Sequence, residues 1–282
     1  MKINIVYVSL LFGLLLSCNS EVKNTNDSLE KTESVKQLNN DVKNEEVTPQ
    51  KIRPISSDNG KFFTINDRKM QYGGKDSSQH FDVTNSELNP KQFHYGIGRE
   101  VFPALLKPKF ISIKKADIKW ADSSRFLVAY SGSEVKAYSI KDLTHHEVIN
   151  DELQGKPIMA AYCVLADLGA IYSRDYGGKK LTFALSGYTY YDKNIWNGLD
   201  GFVLWDRETE SLWWPLVGRA VSGKLRGVKL QELDKIFWKD TDWKTIKEKY
   251  PKAQVLESGQ DYERPVHWIQ YDDVSSITKN YK

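Results

Sequence analysis

The sequence is poor in cysteine and lacks a long hydrophobic run. It has two cysteines among its 282 residues, Cys18 and Cys163, so a framework of several disulfides is excluded. Its most apolar stretch, residues 3–16, is shorter than the roughly 20 residues that a membrane-spanning helix needs. We therefore expect neither a disulfide-rich fold nor a comfortable transmembrane span.

The short apolar run has the features of a secretory signal. Lys2 precedes it, and Ser17-Cys18 directly follows it. Leu15-Leu16-Ser17-Cys18 also resembles the bacterial lipobox, in which the cysteine is lipidated. Residues 1–18 are thus predicted to be a lipoprotein signal peptide, with acyl chains such as palmitate on Cys18. Because one chain binds a membrane only marginally, the two or three chains of a bacterial lipoprotein would give stable anchoring. The alternative is an ordinary cleaved signal with an incidental cysteine.

This prediction places the protein in the bacterial cell envelope, with the membrane as its partner through the lipid on Cys18. The periplasmic and surface-facing orientations both stay open. Cys163 would then be the one remaining thiol, so no internal disulfide could form. An unpaired thiol outside the cytoplasm is expected to be buried, bound to a ligand or reactive.

Aromatic residues are absent from residues 19–55. Asn, Ser, Glu, Lys, Thr and Val dominate this segment, and charges of both signs alternate along it. Such a composition buries too little apolar surface to offset the entropy of ordering the chain. We predict a disordered tether here, with a helix in part of residues 28–38 as the alternative.

The positive charges are not clustered. The formal net charge is +3, and Lys and Arg are dispersed along the chain, which argues against a nucleic-acid partner. Residues 56–282 hold all eight Trp and are long enough for a single domain with a sizeable core.

Short alternating runs separated by glycine dominate this part. Three hairpins are predicted, pairing residues 126–130 with 134–138, 170–174 with 180–185, and 201–205 with 211–214. One helix is predicted between residue 240 and Pro251. The fold class is therefore α+β and predominantly antiparallel β, as a partly closed barrel or a sandwich, with one C-terminal helix and few short helices.

The strand after Pro157 is expected to be central. Alternation places Met159, Ala161 and Cys163 on one side, and the other side is also apolar. A strand that is apolar on both sides is typical of one that is covered on both faces.

Residues 145–163 concentrate the groups that carry chemistry. The candidates are His145, His146, Glu147, Asn150, Asp151 and Cys163. One hypothesis is a thiol and imidazole pair, in which His146 activates Cys163 and Asn150 or Asp151 orients the imidazole. A second is a metal site that uses Cys163, His146 and His145, although four ligands cannot be named. The third treats Cys163 as a buried hydrophobe and His146-Glu147 as part of a hydrogen-bonded turn.

Asp206-Arg207 follows the first strand of the third predicted hairpin. We expect an ion pair at the hairpin end before a catalytic pair, and Arg207 could fork onto a carboxylate. With His146 and Glu147, these two residues complete the predicted ligand-binding set.

Seven ordered blocks over residues 98–256 resemble the bacterial family of domain of unknown function 3179. They are Gly98-Arg99-Glu100-Val101-Phe102-Pro103, Ala137-Tyr138-Ser139, His146-Glu147-Val148-Ile149-Asn150-Asp151, Gly155-Lys156-Pro157-Ile158 with Ala161-Tyr162-Cys163-Val164-Leu165-Ala166, Phe183-Ala184-Leu185-Ser186-Gly187, Leu204-Trp205-Asp206-Arg207-Glu208-Thr209-Glu210-Ser211-Leu212-Trp213 and Gly218-Arg219-Ala220-Val221-Ser222-Gly223. The resemblance implies kinship and no particular activity.

Two departures from the family pattern remove sulfur atoms. Ala166 occupies the position of the family's second cysteine, and Leu204 occupies that of its methionine. Thiolate and thioether are the ligands that soft metals prefer, so a soft-metal site would be weakened in this chain.

These observations favour a binding module, for a metal or a small envelope ligand, over an enzyme. The reason is that polar residues cluster while no complete catalytic set can be named. A Cys/His-dependent enzyme is the alternative, and a purely structural or protein-contact role is the default if both fail. The cofactor, the protein partner and the oligomeric state are not predicted.

Overall fold

The computed structural model describes residues 60–261 and 269–282. The predicted signal peptide with Cys18 and the predicted tether lie outside the described residues. Within the described part, no helix is both long and apolar enough to cross a membrane.

The described chain is built mainly of short strands. In chain order they are Phe62–Ile65 (β1), Arg68–Gln71 (β2), Phe81–Asp82 (β3), Phe93–Tyr95 (β4), Phe110–Ser112 (β5), Arg125–Ser131 (β6), Glu134–Ser139 (β7), Val148–Leu153 (β8), Lys156–Cys163 (β9), Leu168–Ser173 (β10), Asp175–Tyr176 (β11), Lys179–Lys180 (β12), Phe183–Tyr190 (β13), Gly201–Asp206 (β14), Leu212–Trp214 (β15), Arg219–Ser222 (β16), Phe237–Asp242 (β17) and Gln254–Leu256 (β18). The α-helices are Ile113–Ala116 (α1), Ile140–His146 (α2), Trp243–Lys249 (α3) and Ser275–Tyr281 (α4).

The strands form five sheets. Two have five strands, in the orders β16-β15-β14-β13-β4 and β17-β6-β7-β18-β5. A three-stranded sheet, β10-β9-β8, and two small sheets, β1-β2-β3 and β11-β12, complete the set. Among these described strands, β7 and β18 form the one parallel pair. No sheet of the described residues closes into a barrel, and the prediction of a mostly β fold is confirmed.

The β10-β9-β8 sheet is the middle layer of the core. Met159, Ala161 and Cys163 join a cluster with side chains of β13 to β16. Ile158, Ala160 and Tyr162 join a second cluster with side chains of β6 and β7. The prediction of a central strand covered on both faces is confirmed, because β9 has a β-sheet neighbour on each edge and a hydrophobic cluster on each face.

The second five-stranded sheet has a helix on its far side. Trp243 and Ile246 of α3 pack with Phe126 and Val128 of β6 in a third cluster. The Asp242 carboxylate caps α3 by accepting the N–H of Thr245 at 2.7 Å. The predicted helix before Pro251 is therefore confirmed, and α4 is a further C-terminal helix that the sequence did not predict.

Two of the three predicted hairpins are present. In β6 and β7 the residues pair across a turn at Gly132, where a φ of +56° favours glycine. In β14 and β15, Leu204 faces Trp213. The second predicted hairpin is wrong: β10 pairs with β9, and β13 pairs with β14. The glycine turn that lies between β10 and β13 in the chain connects β11 to β12, and these two short strands pair with each other.

Candidate functional site

The Cys163 thiol lies at the end of β9 and is 2% exposed. Its sulfur accepts the N–H of Phe202 at 3.4 Å, and its S–H points to the carbonyl of Asp200 at 3.9 Å. Backbone N–H groups of Ala166 and Leu165 near the sulfur lower the pKa of the thiol. Burial outweighs these donors and raises the pKa of the thiol to about 11. The thiol is therefore protonated at neutral pH.

Glu147 ends helix α2 in a left-handed backbone conformation, with φ of 52°. Its N–H donates to the carbonyl of Leu143 at 2.7 Å, and its carbonyl accepts the N–H of Tyr162 at 2.9 Å. A glutamate in this conformation costs of order 1 kcal/mol, so the surrounding contacts must fix it. The conformation holds the carboxyl beside the end of β9. Burial raises the pKa of that carboxyl to about 7, although the Val164 N–H opposes the shift.

Cys163 and Glu147 line one cavity of about 290 Å³, which we call the thiol cleft. Its wall is mostly apolar and includes Phe102, Leu185 and Phe202. The negative charge of Glu147 further raises the pKa of the thiol, which indicates that the two groups interact. The cleft thus combines an apolar wall with a carboxyl group and a neutral thiol.

A second polar group of the thiol cleft comes from strands that the sequence did not connect. His94 on β4 and Thr189 on β13 are cross-strand partners, and both line the cleft. The Asp200 carboxylate, just before β14, accepts the Thr189 hydroxyl at 2.7 Å and contacts His94 Nδ1. Because His94 and Asp200 are 106 residues apart, no local sequence pattern could have paired them.

His146 does not join Cys163 in the thiol cleft. Antiparallel pairing of Val148 with Ala161 would, if continued by two residues, place residue 146 opposite residue 163. The left-handed turn at Glu147 breaks the ladder before that point. His146 is buried and its Nδ1 lies 3.2 Å from the carbonyl of Pro103.

His145 lies on the surface, on the last turn of α2. Its Nδ1 is 2.9 Å from the carbonyl of Lys141. Within the described chain, no group of three or more His, Cys, Asp and Glu side chains is arranged to hold a metal ion. The predicted ligands His145, His146 and Cys163 therefore do not form a metal centre in the described geometry.

Asn150 and Asp151 follow on β8 and line a different cavity, of about 520 Å³, which we call the polar cavity. The Asn150 side chain is 2% exposed and bonds the backbone of Phe183 twice, to its N–H at 2.9 Å and its carbonyl at 2.8 Å. Both carboxylate oxygens of Asp151 lie 2.9 Å from Lys136 Nζ. One of them also accepts the Tyr138 hydroxyl at 2.7 Å. Both residues lie in a strand, which explains why the predicted turn ends earlier, at Glu147.

Asp206 and Arg207 have separate partners. The buried Asp206 carboxylate accepts the N–H of Thr209 at 2.7 Å, the Thr209 hydroxyl at 2.8 Å and Trp213 Nε1 at 2.8 Å. Burial still raises its pKa to about 6. Arg207 forks onto Glu100, with Nε and Nη2 at 2.7 and 2.8 Å from the two carboxylate oxygens. The predicted fork is confirmed, but the predicted pairing of Asp206 with Arg207 is wrong.

The positions that depart from the family pattern are both buried. Ala166 lies in the turn after Cys163, and Leu204 lies in the core on β14. Each apolar side chain joins the same hydrophobic cluster as Cys163. Both positions therefore contribute to apolar packing.

Mostly antiparallel sheets that carry an apolar cleft and a polar cavity define a β-rich domain. A family model described as a protein of unknown function, DUF3179, matches residues 99–280, and the chain belongs to this family. The resemblance drawn from the seven sequence blocks is therefore confirmed. No curated protein and no solved structure matches the chain.

Proposed function

We propose that this domain is a binding module whose thiol cleft takes a small, mainly apolar ligand with an amine or another hydrogen-bond donor at one end. The observation that carries the proposal is that the Glu147 carboxyl and the Cys163 thiol line one mostly apolar cavity. Pockets with apolar walls and a few polar groups are typical small-molecule sites. The sequence adds the expectation that the module is anchored in the bacterial envelope through Cys18.

The carboxyl of Glu147 is the group that would select the ligand. No ion pair of Glu147 occurs among the described residues, and Glu147 is half-buried. A ligand ammonium placed beside it would supply the missing counter-charge in a partly desolvated site, where charge-assisted hydrogen bonds are strongest. Since its pKa is about 7, the carboxyl is partly ionised at neutral pH and becomes a better acceptor as the pH rises.

A thiol-dependent enzyme receives less support from the same geometry. A nucleophilic cysteine needs a lowered pKa, whereas that of Cys163 is raised to about 11. Neither His145 nor His146 lines the thiol cleft. His94 does, but the hydrogen-bond partners of the Cys163 sulfur among the described residues are backbone groups of Phe202 and Asp200, and the Glu147 carboxyl disfavours the thiolate. The thiol is better suited to be a polarisable part of the wall.

Three probes with the same six-carbon chain test the proposal: hexylamine, hexanol and hexanoate. We expect hexylamine to bind most tightly by calorimetry, and to slow the labelling of Cys163 by a small methanethiosulfonate reagent in a Cys18→Ser background. Glu147→Gln should weaken hexylamine binding roughly tenfold and leave hexanol binding nearly unchanged, because it removes the charge and keeps the shape. Hexylamine binding should also strengthen between pH 6 and pH 8 in the unmodified cleft.

Glu248→Gln is the matched control, because Glu248 is an exposed residue of α3. It should leave all three probes unaffected. Failure of hexylamine to protect Cys163, or an amine preference that survives Glu147→Gln, would refute the proposal. Labelling of unliganded Cys163 faster than that of free cysteine at neutral pH would instead support the enzyme alternative.

A further inference from the structure

The polar cavity is a second chamber, and basic side chains dominate its wall. Five of them line it, with two acidic side chains: Lys107, Lys136, Arg174, Lys180, Arg207, Asp151 and Glu152. Such an excess of positive charge in a concave site favours anions.

Three of the basic groups have a carboxylate partner among the described residues. Lys136 pairs with Asp151, Lys180 with Glu152 at 2.8 Å, and Arg207 with Glu100 behind the wall. These ion pairs neutralise the charges one by one. They also orient the side chains, so the wall is preorganised before any ligand arrives.

Arg174 differs from the other three. It is 3% exposed, and its Nε, Nη1 and Nη2 each donate to a backbone carbonyl, of Ile158 at 2.8 Å, Leu181 at 2.8 Å and Asp151 at 2.9 Å. These carbonyls satisfy hydrogen bonds but carry no charge. Among the described residues, no carboxylate forms an ion pair with Arg174, and burial lowers its pKa to about 10.

The guanidinium also has donors to spare. It carries five N–H groups in a fixed plane, and three of them are used by the carbonyls. The carboxyl groups that act on Arg174 from a distance are Glu208, Glu152 and Asp151. Each is engaged elsewhere: Glu208 accepts the N–H of Thr182 at 2.6 Å, and the other two pair with lysines. The cavity thus contains a buried positive charge with free hydrogen-bonding capacity.

We propose that the polar cavity binds a phosphate-type oxyanion, with Arg174 as the buried anchor and Lys180 as the cation at the rim. The anion supplies the counter-charge that no described carboxylate places on Arg174. Tetrahedral oxyanions match the spare guanidinium donors, because arginine binds phosphate through parallel N–H groups. This site is separate from the thiol cleft, and each proposal can fail without the other.

Equilibrium dialysis of radiolabelled inorganic phosphate against the full chain tests the site. Lys180→Gln should weaken binding roughly tenfold, because it removes a charge-assisted contact and leaves Glu152 unpaired at the rim. Lys156→Gln is the matched control. Lys156 is exposed to a similar extent, 46% against 51% for Lys180, and it also forms one surface ion pair, with Asp234. It lies outside the cavity wall, so its loss should change binding less than twofold.

Arg174→Lys removes the spare donors and keeps the positive charge. If the variant folds, judged by its near-UV circular dichroism and unfolding midpoint, phosphate binding should be lost. If it does not fold, the comparison of Lys180→Gln with Lys156→Gln still decides the proposal. Absence of phosphate binding, or an equal effect of the two lysine variants, would overturn it.

Competition separates the two sources of this chemistry. If glycerol 3-phosphate displaces the labelled phosphate more strongly than unlabelled phosphate does, the result identifies a phosphomonoester ligand. Equal displacement would identify the free anion, and both results support the site. If sodium chloride at matched ionic strength displaces the labelled phosphate as effectively as unlabelled phosphate does, the effect is nonspecific screening. That result would overturn the proposal.

Discussion

Replacement of Asn150 by alanine is predicted to destabilise the fold strongly. The amide of Asn150 joins β8 to β13 by bonding both the N–H and the carbonyl of Phe183, at 2.9 and 2.8 Å, in a position that is 2% exposed. Asn150→Ala leaves both backbone groups without this partner. Each unsatisfied buried group costs about 1–3 kcal/mol. Because Asn150 also lines the polar cavity, water can reach part of the gap, and we expect a total loss of about 3 kcal/mol in the free energy of unfolding.

Asn85 provides a control with the same local chemistry. Its side chain bonds the N–H of Gly223 at 2.9 Å and its carbonyl at 3.0 Å, but the residue is exposed. Water can replace both hydrogen bonds there. Asn85→Ala should therefore cost no more than about 1 kcal/mol.

Urea unfolding followed by tryptophan fluorescence measures both variants. The midpoint should fall while the denaturant slope stays constant, since the surface exposed on unfolding is nearly the same. Equal losses for Asn150→Ala and Asn85→Ala would refute the reasoning from burial. A variant Asn150→Ala that keeps its stability but loses phosphate binding would show that Asn150 acts in the polar cavity and not in the fold.

Two further predictions concern buried charges. Burial raises the pKa of Glu208 from 4.5 to about 7, so the folded state binds its proton more tightly. The contribution of Glu208 to the free energy of unfolding is therefore complete below pH 4.5. About 3 kcal/mol of it is lost as the pH rises through 7. Glu208→Gln should make the urea midpoint depend less on pH between 5 and 8, and an unchanged pH dependence would contradict the assignment. Glu100→Gln should cost about 3 kcal/mol, because it removes the carboxylate that faces the buried Arg207. Asp234→Asn breaks the exposed pair with Lys156 and should cost less than about 1 kcal/mol, so equal losses would count against a role for burial.

Local patterns predicted the elements whose partners are near in sequence. The β6-β7 and β14-β15 hairpins need a short loop and alternating strands, and both are present. The two faces of β9 were also predictable, because a strand has a period of two residues. The pairing of β13 failed because two candidate partners are similarly apolar. Its register with β14 is shifted by a bulge between Leu185 and Tyr188, which packing over the whole sheet decides.

The candidate site was predicted in part. Glu147 and Cys163 lie in the same window of the sequence and line the same cleft. His146 was the natural partner for Cys163, since continuation of the ladder would place them opposite each other. Glu147 has a positive φ and changes the path of the chain. A carboxyl therefore lies beside Cys163, where the continued ladder would have placed the imidazole. A left-handed glutamate has no reliable sequence signal, because glycine and asparagine are the usual residues there.

The turn after Cys163 contains Ala166, at the position where the family resemblance implies a second cysteine. The Cys163 sulfur accepts the N–H of Phe202, and the backbone N–H groups of Ala166 and Leu165 lower the pKa of the thiol. None of these backbone donors depends on the side chain at position 166. An alanine at position 166 therefore leaves these backbone contacts of Cys163 in place. Because alanine carries no sulfur, position 166 offers no second soft donor beside Cys163 for redox or soft-metal chemistry. A binding role needs the shape of the thiol cleft and no second sulfur, which supports the binding module that we propose.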